Sequence, residues 1–328
     1  MTTAGRPPTL DDVARAAGVS RATASRVIAG TGYASPTARD RVTAAADRLG
    51  YAPNLAARAL VRGTGVRLVV AVSGVAPSVL DDPYVDRVVG AAARICAPYG
   101  LGVALHWLPT REPAGLRRLA EDRSVGGIIL VNTTEAVLRA VPAALRGRVA
   151  SIGIGSALVP AFDVDNGGGT EAVVRHLYAT GRRRIAMVTG PRWLPCAGRS
   201  VGAYRRVVRD AGLPVRLVPG DFSAGRGRAA AREVLARWPD TDAIVGISDA
   251  TALGLIDGLR GDGVQVPGDV AVTGFDDIPL AAMTTPALTT ATHPVGQIAT
   301  AAATAVLAGR PVPPATVFPS RLVRRVSG

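Results

Sequence analysis

Apolar residues recur at helical spacing through the first fifty positions of this chain, in three short runs separated by turn signals. Thr9 and Asp12 form a capping pair ahead of Val13, Ala16 and Ala17. Gly18 ends that run and Ser20 caps the next, in which Ala24, Val27 and Ile28 form a face able to bury against its neighbours. Ser35-Pro36 opens a third helix, since proline suits a first helical position, and Gly50 closes it. Two helices joined by a short glycine-containing turn form the helix-turn-helix unit.

From Val66 the texture changes to short apolar runs alternating with helical stretches. Strands are predicted at 66–73, 101–108, 127–131 and 149–154, with helical spacing over 83–99, 116–122 and 135–145. The alternation then restarts, with strands at 185–189, 243–247 and 270–275 and helices over 169–181, 200–211, 226–238 and 251–262. Runs this apolar fit parallel strands covered on both faces. The pattern predicts two doubly wound α/β lobes with a cleft between them, behind an all-α head.

The second helix carries the chemistry of the head. Opposite its apolar face stand Arg21, Ala22, Ser25, Arg26 and Ala29, small residues apart from two guanidinium groups. Such a face can approach a surface bearing acceptors, and arginine can bond bidentately to guanine in a major groove. A small three-helix bundle with solvated arginines carries the same pattern, so the helices alone leave both readings open.

Charge sharpens the picture. The net charge is +13, all of the basic side arginine, a usage that fits codon bias in a GC-rich genome. Residues 1–65 hold nine arginines against four aspartates, an asymmetry that agrees with a DNA-binding head. The start, MTTAGRPPTLDD, has no apolar run of the signal-peptide kind, and no segment reaches the 18 uninterrupted apolar residues of a membrane span. Cys96 and Cys196 stand far apart without nearby His or Cys, which fits a reduced cytoplasmic protein with structural thiols.

Three motifs then run in order: T-L-x-D-V-A-x-x-A-G-V-S-x-x-T-x-S-R-V from Thr9, Y-x-P-N from Tyr51, and A-R-x-L from Ala57. Over these fifty residues the chain resembles the lac-repressor (LacI/GalR) family of bacterial transcription regulators. The resemblance implies a dimer on a pseudo-palindromic double-stranded DNA operator, with Arg21 and Ala22 at the positions that vary base reading and Arg26 at the usual arginine. Thr9, Ser20, Thr23, Ser25 and Tyr33 complete the DNA-contacting set of the head. Asn54, Ala57, Arg58 and Leu60 would form a hinge helix, with Leu60 wedged into the minor groove.

Further landmarks extend the likeness: Gly126 to Leu130, Val164-Asp165-Asn166, Gly181 to Ala186, Arg199 with Gly202, and Gly274 to Pro279. They imply a core similar to the periplasmic sugar-binding proteins, with Arg199 and Asp276 on the hydroxyls of a small effector, most simply a sugar. Ligands of open α/β sheets bind beyond the carboxyl ends of the strands. Ser73, Asp165, Ser248, Asp249 and Asp276 are candidates at those ends, and Tyr84 and Trp193 are candidates to stack on a sugar ring. Ser248-Asp249 stands where the family usually has Asn-Asp, and His293 where Gln is frequent, which leaves the identity of the ligand open.

The implied organisation is a head at 1–50, a hinge at 51–65 and a core at 66–328. Within the core one lobe takes about 66–163 and 294–319, the other about 164–293 and 320–328. Enzymatic readings lack their motifs. There is no lysine for a P-loop, no Gly-x-Ser-x-Gly elbow, and His106, His176 and His293 are too scattered for a metal site. No cofactor and no metal are expected. A solute-binding protein with a vestigial head is the competing class, disfavoured by the intact head and hinge motifs.

Overall fold

The computed structural model describes residues 8–29, 33–51, 66–110, 114–308 and 312–328. The head contains α1 (Leu10–Ala17), α2 (Arg21–Ala29) and α3 (Pro36–Leu49). At the start of α1 the Thr9 hydroxyl accepts the Asp12 N–H, while the Asp12 carboxylate takes the Thr9 N–H at 2.9 Å. This reciprocal cap satisfies two donors that a helix start leaves free. Gly18 ends α1 in the left-handed region at φ 61°, where a side chain would be strained, and so turns the chain tightly into α2. Val13, Ala14, Ala17, Ala24, Val42, Ala45 and Ala46 form the core of the head, with Val27, Ile28 and Tyr51 packed against it.

The first lobe is built from β1 (Arg67–Gly74), α4 (Pro83–Cys96), β2 (Gly102–Pro109), α5 (Gly115–Glu121), β3 (Val125–Val131), α6 (Glu135–Arg139), β4 (Val149–Ile152) and β5 (Ala161–Val164). The second runs through α7 (Asn166–Ala179), β6 (Ile185–Val188), α8 (Pro195–Asp210), β7 (Arg216–Val218), α9 (Ala224–Arg237), β8 (Ala243–Gly246), α10 (Asp249–Gly261) and β9 (Ala271–Thr273). The chain then passes through β10 (Thr290–Ala291), α11 (Val295–Ala308), β11 (Ala315–Phe318) and β12 (Leu322–Val323).

All strands of the first sheet are parallel, in the order β11-β5-β4-β3-β1-β2. The second sheet is parallel as well, ordered β7-β6-β8-β9. The central strands are apolar at nearly every position because both faces are covered, and β1 is buried from Leu68 to Gly74. Three passages join the lobes: from β5 into α7, from β10 into α11, and from β11 into β12. The antiparallel β10–β12 pair lies on two of them. Rigid lobes joined by a few crossing segments are the arrangement in which hinge motion is absorbed at the crossings.

Several elements differ from the sequence pattern for identifiable reasons. The helix expected over 135–145 stops at Arg139, because Pro142 cannot continue it, and a 3₁₀ turn follows at Ala143–Leu145. The helix expected from Ser200 begins at Pro195, with proline again in the first turn. The pattern does not single out β5, β7, α11 or β11. In α11 the run of alanines hides the buried face, which packs on α4 and on strands β3 to β5.

Candidate functional site

The head presents the face that the sequence indicates. Arg21, Ala22, Ser25 and Arg26 are all exposed on α2, while Ala24 behind them is fully buried. The Ser20 hydroxyl caps the helix by accepting the Thr23 N–H at 3.1 Å, and the two hydroxyls lie 2.9 Å apart. Arg26 folds back along the helix, with Nε donating to the Ala22 carbonyl at 3.3 Å. Arg21 pairs with Asp11 at 3.1 Å, both side chains well exposed. Such a surface pair is worth about 0–1 kcal/mol, so either guanidinium can turn to a polyanion at little cost. The Thr9 hydroxyl is engaged with Asp12 in the cap, and Tyr33 is 84% exposed. Asn54, Ala57, Arg58 and Leu60 lie outside the described residues.

The core holds a cavity of about 730 Å³ where the two lobes meet. Gly74, Asp82, Tyr84 and Ile152 line it from the first lobe. Trp193, Arg199, Phe222, Ser248 and Phe275 line it from the second, and Asp163, Asn166, Asp276 and His293 from the crossings or beside them. A few polar groups on an otherwise aromatic and aliphatic wall is the usual make-up of a small-molecule site.

Two polar pairs dominate this wall. Arg199, on the first turns of α8, pairs with the Asp163 carboxylate on β5. Asp163 also accepts the Val164 N–H at 2.8 Å and the Asn166 side-chain amide at 3.3 Å. Burial holds the Asp163 carboxyl above its usual range although Arg199 works in the opposite direction. Across the cavity, Asp276 Oδ1 lies 2.9 Å from His293 Nδ1. The His293 ring stands 5.0 Å from that of Tyr84 and edge-on to Phe275 at 5.9 Å.

Burial governs the electrostatics here. It pushes the His293 imidazole down to about 4 and the Asp82 carboxyl up to about 6. Asp276 is raised by the same desolvation, opposed by Arg87. The Cys196 thiol is held at about 12 by burial, which makes it inert as a nucleophile. A neutral His293 whose Nδ1 is engaged by Asp276 has only Nε2 left to bond. That atom is buried and has no hydrogen-bond partner among the described residues. A hydroxyl entering the cavity would complete it.

Arg87 braces this pair from the first lobe. Its guanidinium reaches from α4 to donate to the carbonyls of Asp276 and His293, each at 3.1 Å. The backbone of Asp276 is held at φ 121° and that of Asp277 at φ 48°, values uncommon for residues with a side chain. Arg325 bonds the Asp277 carboxylate at 2.7 Å and so over-determines the turn.

Three sequence candidates are not on the cavity wall. Ser73 is fully buried inside β1, and the next residue, Gly74, is the one that lines the cavity. The Asp165 carboxylate caps α7 by accepting the Gly168 N–H at 2.8 Å, leaving Asp163 and Asn166 on the wall. Asp249 is completely enclosed, accepting the Ile278 N–H at 2.9 Å and the Thr290 hydroxyl at 2.5 Å. It organises the loop that carries Asp276. In each case a strand end places alternate residues on opposite sides, and helix capping or burial claims the other. Conversely, Asp82, Asp163, Arg87 and Phe222 escaped the sequence reading. Only Asp82-Pro83, a cap followed by proline, left a local signal, and it reads as a helix start.

A helix-turn-helix head on a two-lobed α/β core with an interlobe cavity defines a DNA-binding regulator carrying a solute-binding type of core. Comparison with known proteins makes the assignment specific. Residues 9–54 match the family model described as bacterial regulatory proteins, lacI family, and residues 174–327 match the periplasmic binding protein-like domain. The transcriptional regulator CelR of Thermobifida fusca is 34% identical over 88% of this chain and 88% of its own. GalR of Escherichia coli K12 is 31% identical over 97% of this chain and 95% of its own. Among solved structures, a CelR–cellobiose complex superposes with a TM-score of 0.68 at 30% identity, covering 98% of this chain and all of that one. The lac repressor dimer bound to operator and the anti-inducer ONPF gives 0.71 at 25% identity, covering 98% of this chain and 99% of that one. The chain belongs to the LacI family of DNA-binding transcriptional regulators.

Proposed function

We propose that the chain is a repressor that binds a pseudo-palindromic operator as a homodimer and is controlled by a small sugar held between its lobes. The observation that carries this reading is the interlobe cavity itself, where Arg199–Asp163 and Asp276–His293 face one another beside the crossings. A guanidinium, carboxylates and an unpaired imidazole nitrogen together can engage adjacent hydroxyls, and charge-assisted bonds are roughly twice as strong as neutral ones. Trp193 and Tyr84 offer ring faces for a pyranose.

The proposed division is a head at 1–50, a hinge at 51–65 and a core at 66–328, whose lobes exchange chain near residues 164, 293 and 320. In the head, Arg21, Ala22, Ser25 and Arg26 read base edges, while Thr9, Ser20, Thr23 and Tyr33 position the helix on phosphates. Asn54, Ala57, Arg58 and Leu60 form the hinge contact. The cleft assignment rests on Arg199, Asp276, His293, Tyr84, Trp193 and Ser248, with Asp82, Asp163 and Arg87 as additions.

The control follows from linkage. A ligand changes operator affinity only as far as it binds the DNA-competent and incompetent lobe orientations differently. Two heads related by a two-fold axis require an operator with matching symmetry. No helix among the described residues is long and apolar enough to cross a membrane. A cytoplasmic protein bound at the nucleoid fits the proposed activity.

The test begins with selection of an operator from a random duplex library by the purified full chain. Mono- and disaccharides are then titrated against the operator complex by fluorescence anisotropy. A palindromic consensus and a sugar that shifts operator affinity at least tenfold are expected. Selection that returns no sequence above random DNA would overturn the DNA reading. Sugar binding by calorimetry without any shift in operator affinity would overturn the control.

A further inference from the structure

The head and hinge together account for +5 of the net charge, and the core for the remaining +8. That excess is not spread over the core. Residues 171–216 carry ten arginines against Glu171 and Asp210, a net of +8, so the rest of the core sums to zero. This stretch comprises α7, β6, α8 and the start of β7.

The structure gathers five of these ten arginines on one surface. Arg175 on α7 and Arg206 on α8 share Glu171, at 2.8 and 3.1 Å. Arg183, past the end of α7, lies over the ring of Tyr178, 4.0 Å from its centroid, and Tyr178 stands about one helical turn beyond Arg175. Arg205 and Arg209 are exposed on α8 beside Arg206, and neither guanidinium has a hydrogen bond or ion pair among the described residues. The group lies at the end of the lobe remote from the cleft. The Tyr204 hydroxyl, on the same part of α8, donates to the carbonyl of Ile185, the first residue of β6. Arg209 follows Arg199 by ten residues, about 15 Å along the helix.

Most arginines elsewhere in the second lobe are matched locally, as Arg228 is by Asp257 and Arg232 by Asp262. On this surface a single glutamate serves Arg175 and Arg206, and among the described residues the Arg205 and Arg209 guanidinium groups have no acidic partner, although the exposed Asp210 follows Arg209 on the helix. Guanidinium groups without base-reading elements around them suit phosphates, which position a duplex without reading its sequence. We propose that this surface is a second, sequence-independent site for the backbone of double-stranded DNA, separate from the head. A regulator held at its operator would then engage a neighbouring or returning duplex segment through its core.

The experiment uses the full chain and a random-sequence 30-base-pair duplex, with affinity measured between about 50 and 200 mM salt. Each lost phosphate contact lowers the slope of log K against log salt by about 0.9. The double variant Arg205→Gln/Arg209→Gln should therefore flatten the slope by about 2 per engaged protomer. Arg228→Gln/Arg232→Gln removes the same charge from α9 and should leave the slope unchanged. Both sets are exposed, and circular dichroism checks that each variant is folded. Equal slopes in the wild type and the first variant would overturn the proposal. So would an equal loss in both variants, which would reduce the effect to net charge. Tighter binding of poly-glutamate than of the duplex at equal charge would assign the surface to an acidic polypeptide instead. None of these outcomes depends on the operator or the sugar.

Discussion

Replacing Arg199 by alanine separates what the cleft contributes to folding from what it contributes to binding. The substitution leaves the Asp163 carboxylate, 14% exposed, with only the Val164 N–H and the Asn166 amide. Breaking a fully buried pair costs about 3–5 kcal/mol, whereas an exposed pair is worth about 0–1. Arg199 is 38% exposed, so solvent screens part of the interaction, and two hydrogen bonds to Asp163 survive. The expected destabilisation is about 1–2 kcal/mol at pH 8.

The pH dependence fixes the mechanism. Asp163 is already raised in the folded chain by burial, and loss of Arg199 raises it further. A carboxyl with a raised folded pKa lowers stability once the pH is high enough to ionise it, and has no effect when it is protonated in both states. The cost of Arg199→Ala should therefore grow from about pH 5 to pH 8 and fade in acid. Asp163→Asn in the Arg199→Ala background should recover most of it, since no uncompensated charge remains. Urea denaturation of the wild type and the two variants at both pH values is the assay, with sugar binding followed by calorimetry. Both Arg199→Ala chains should lose sugar binding whatever their stability. A cost independent of pH, or a double variant no better than the single one, would refute the reasoning.

Other perturbations follow from the same geometry. A Cβ at Gly127 would lie 2.1 Å from Val306 Cγ1, so Gly127→Ala should cost about 1–3 kcal/mol by overpacking, and Val306→Ala should relieve it in urea titrations. Burial raises the Asp82, Asp249 and Asp276 carboxyls, so their contribution falls as pH rises from near 4 through their folded values, about 6 for Asp82. His293, lowered to about 4, opposes this by losing stability as pH falls from 6.5 through that value. With these three carboxyls and Asp163, which burial also raises, against one imidazole, the melting temperature should be higher at about pH 5.5 than at pH 8; calorimetry that finds the reverse order would contradict the burial argument. Arg26→Ala should weaken operator binding by about 1–3 kcal/mol while leaving random duplex nearly unaffected. Equal losses by anisotropy would make Arg26 a phosphate contact.

The head was legible in the chain because its information is local. The Thr9–Asp12 cap, Gly18, the Ser35-Pro36 start and a helix with small residues opposite Ala24 all lie within a few positions of what they control. The α/β alternation was legible too, since strands buried on both faces must be apolar at every position. The cleft was legible only in part. Arg199, Asp276, His293, Tyr84, Trp193 and Ser248 reach its wall, but Ser73, Asp165 and Asp249 do not, although all three stand at strand ends. Which residue of a strand end faces the cavity depends on strand phase and on what caps the next helix, and a shift of one position exchanges the two sides. Arg87 lies on α4, 189 and 206 residues before the carbonyls it holds. Asp163 and Arg199 meet across 36 residues, and Glu171 joins two arginines on different helices. Local patterning determines the elements, but only packing of the two lobes brings these charges together in a low-dielectric site and decides their protonation.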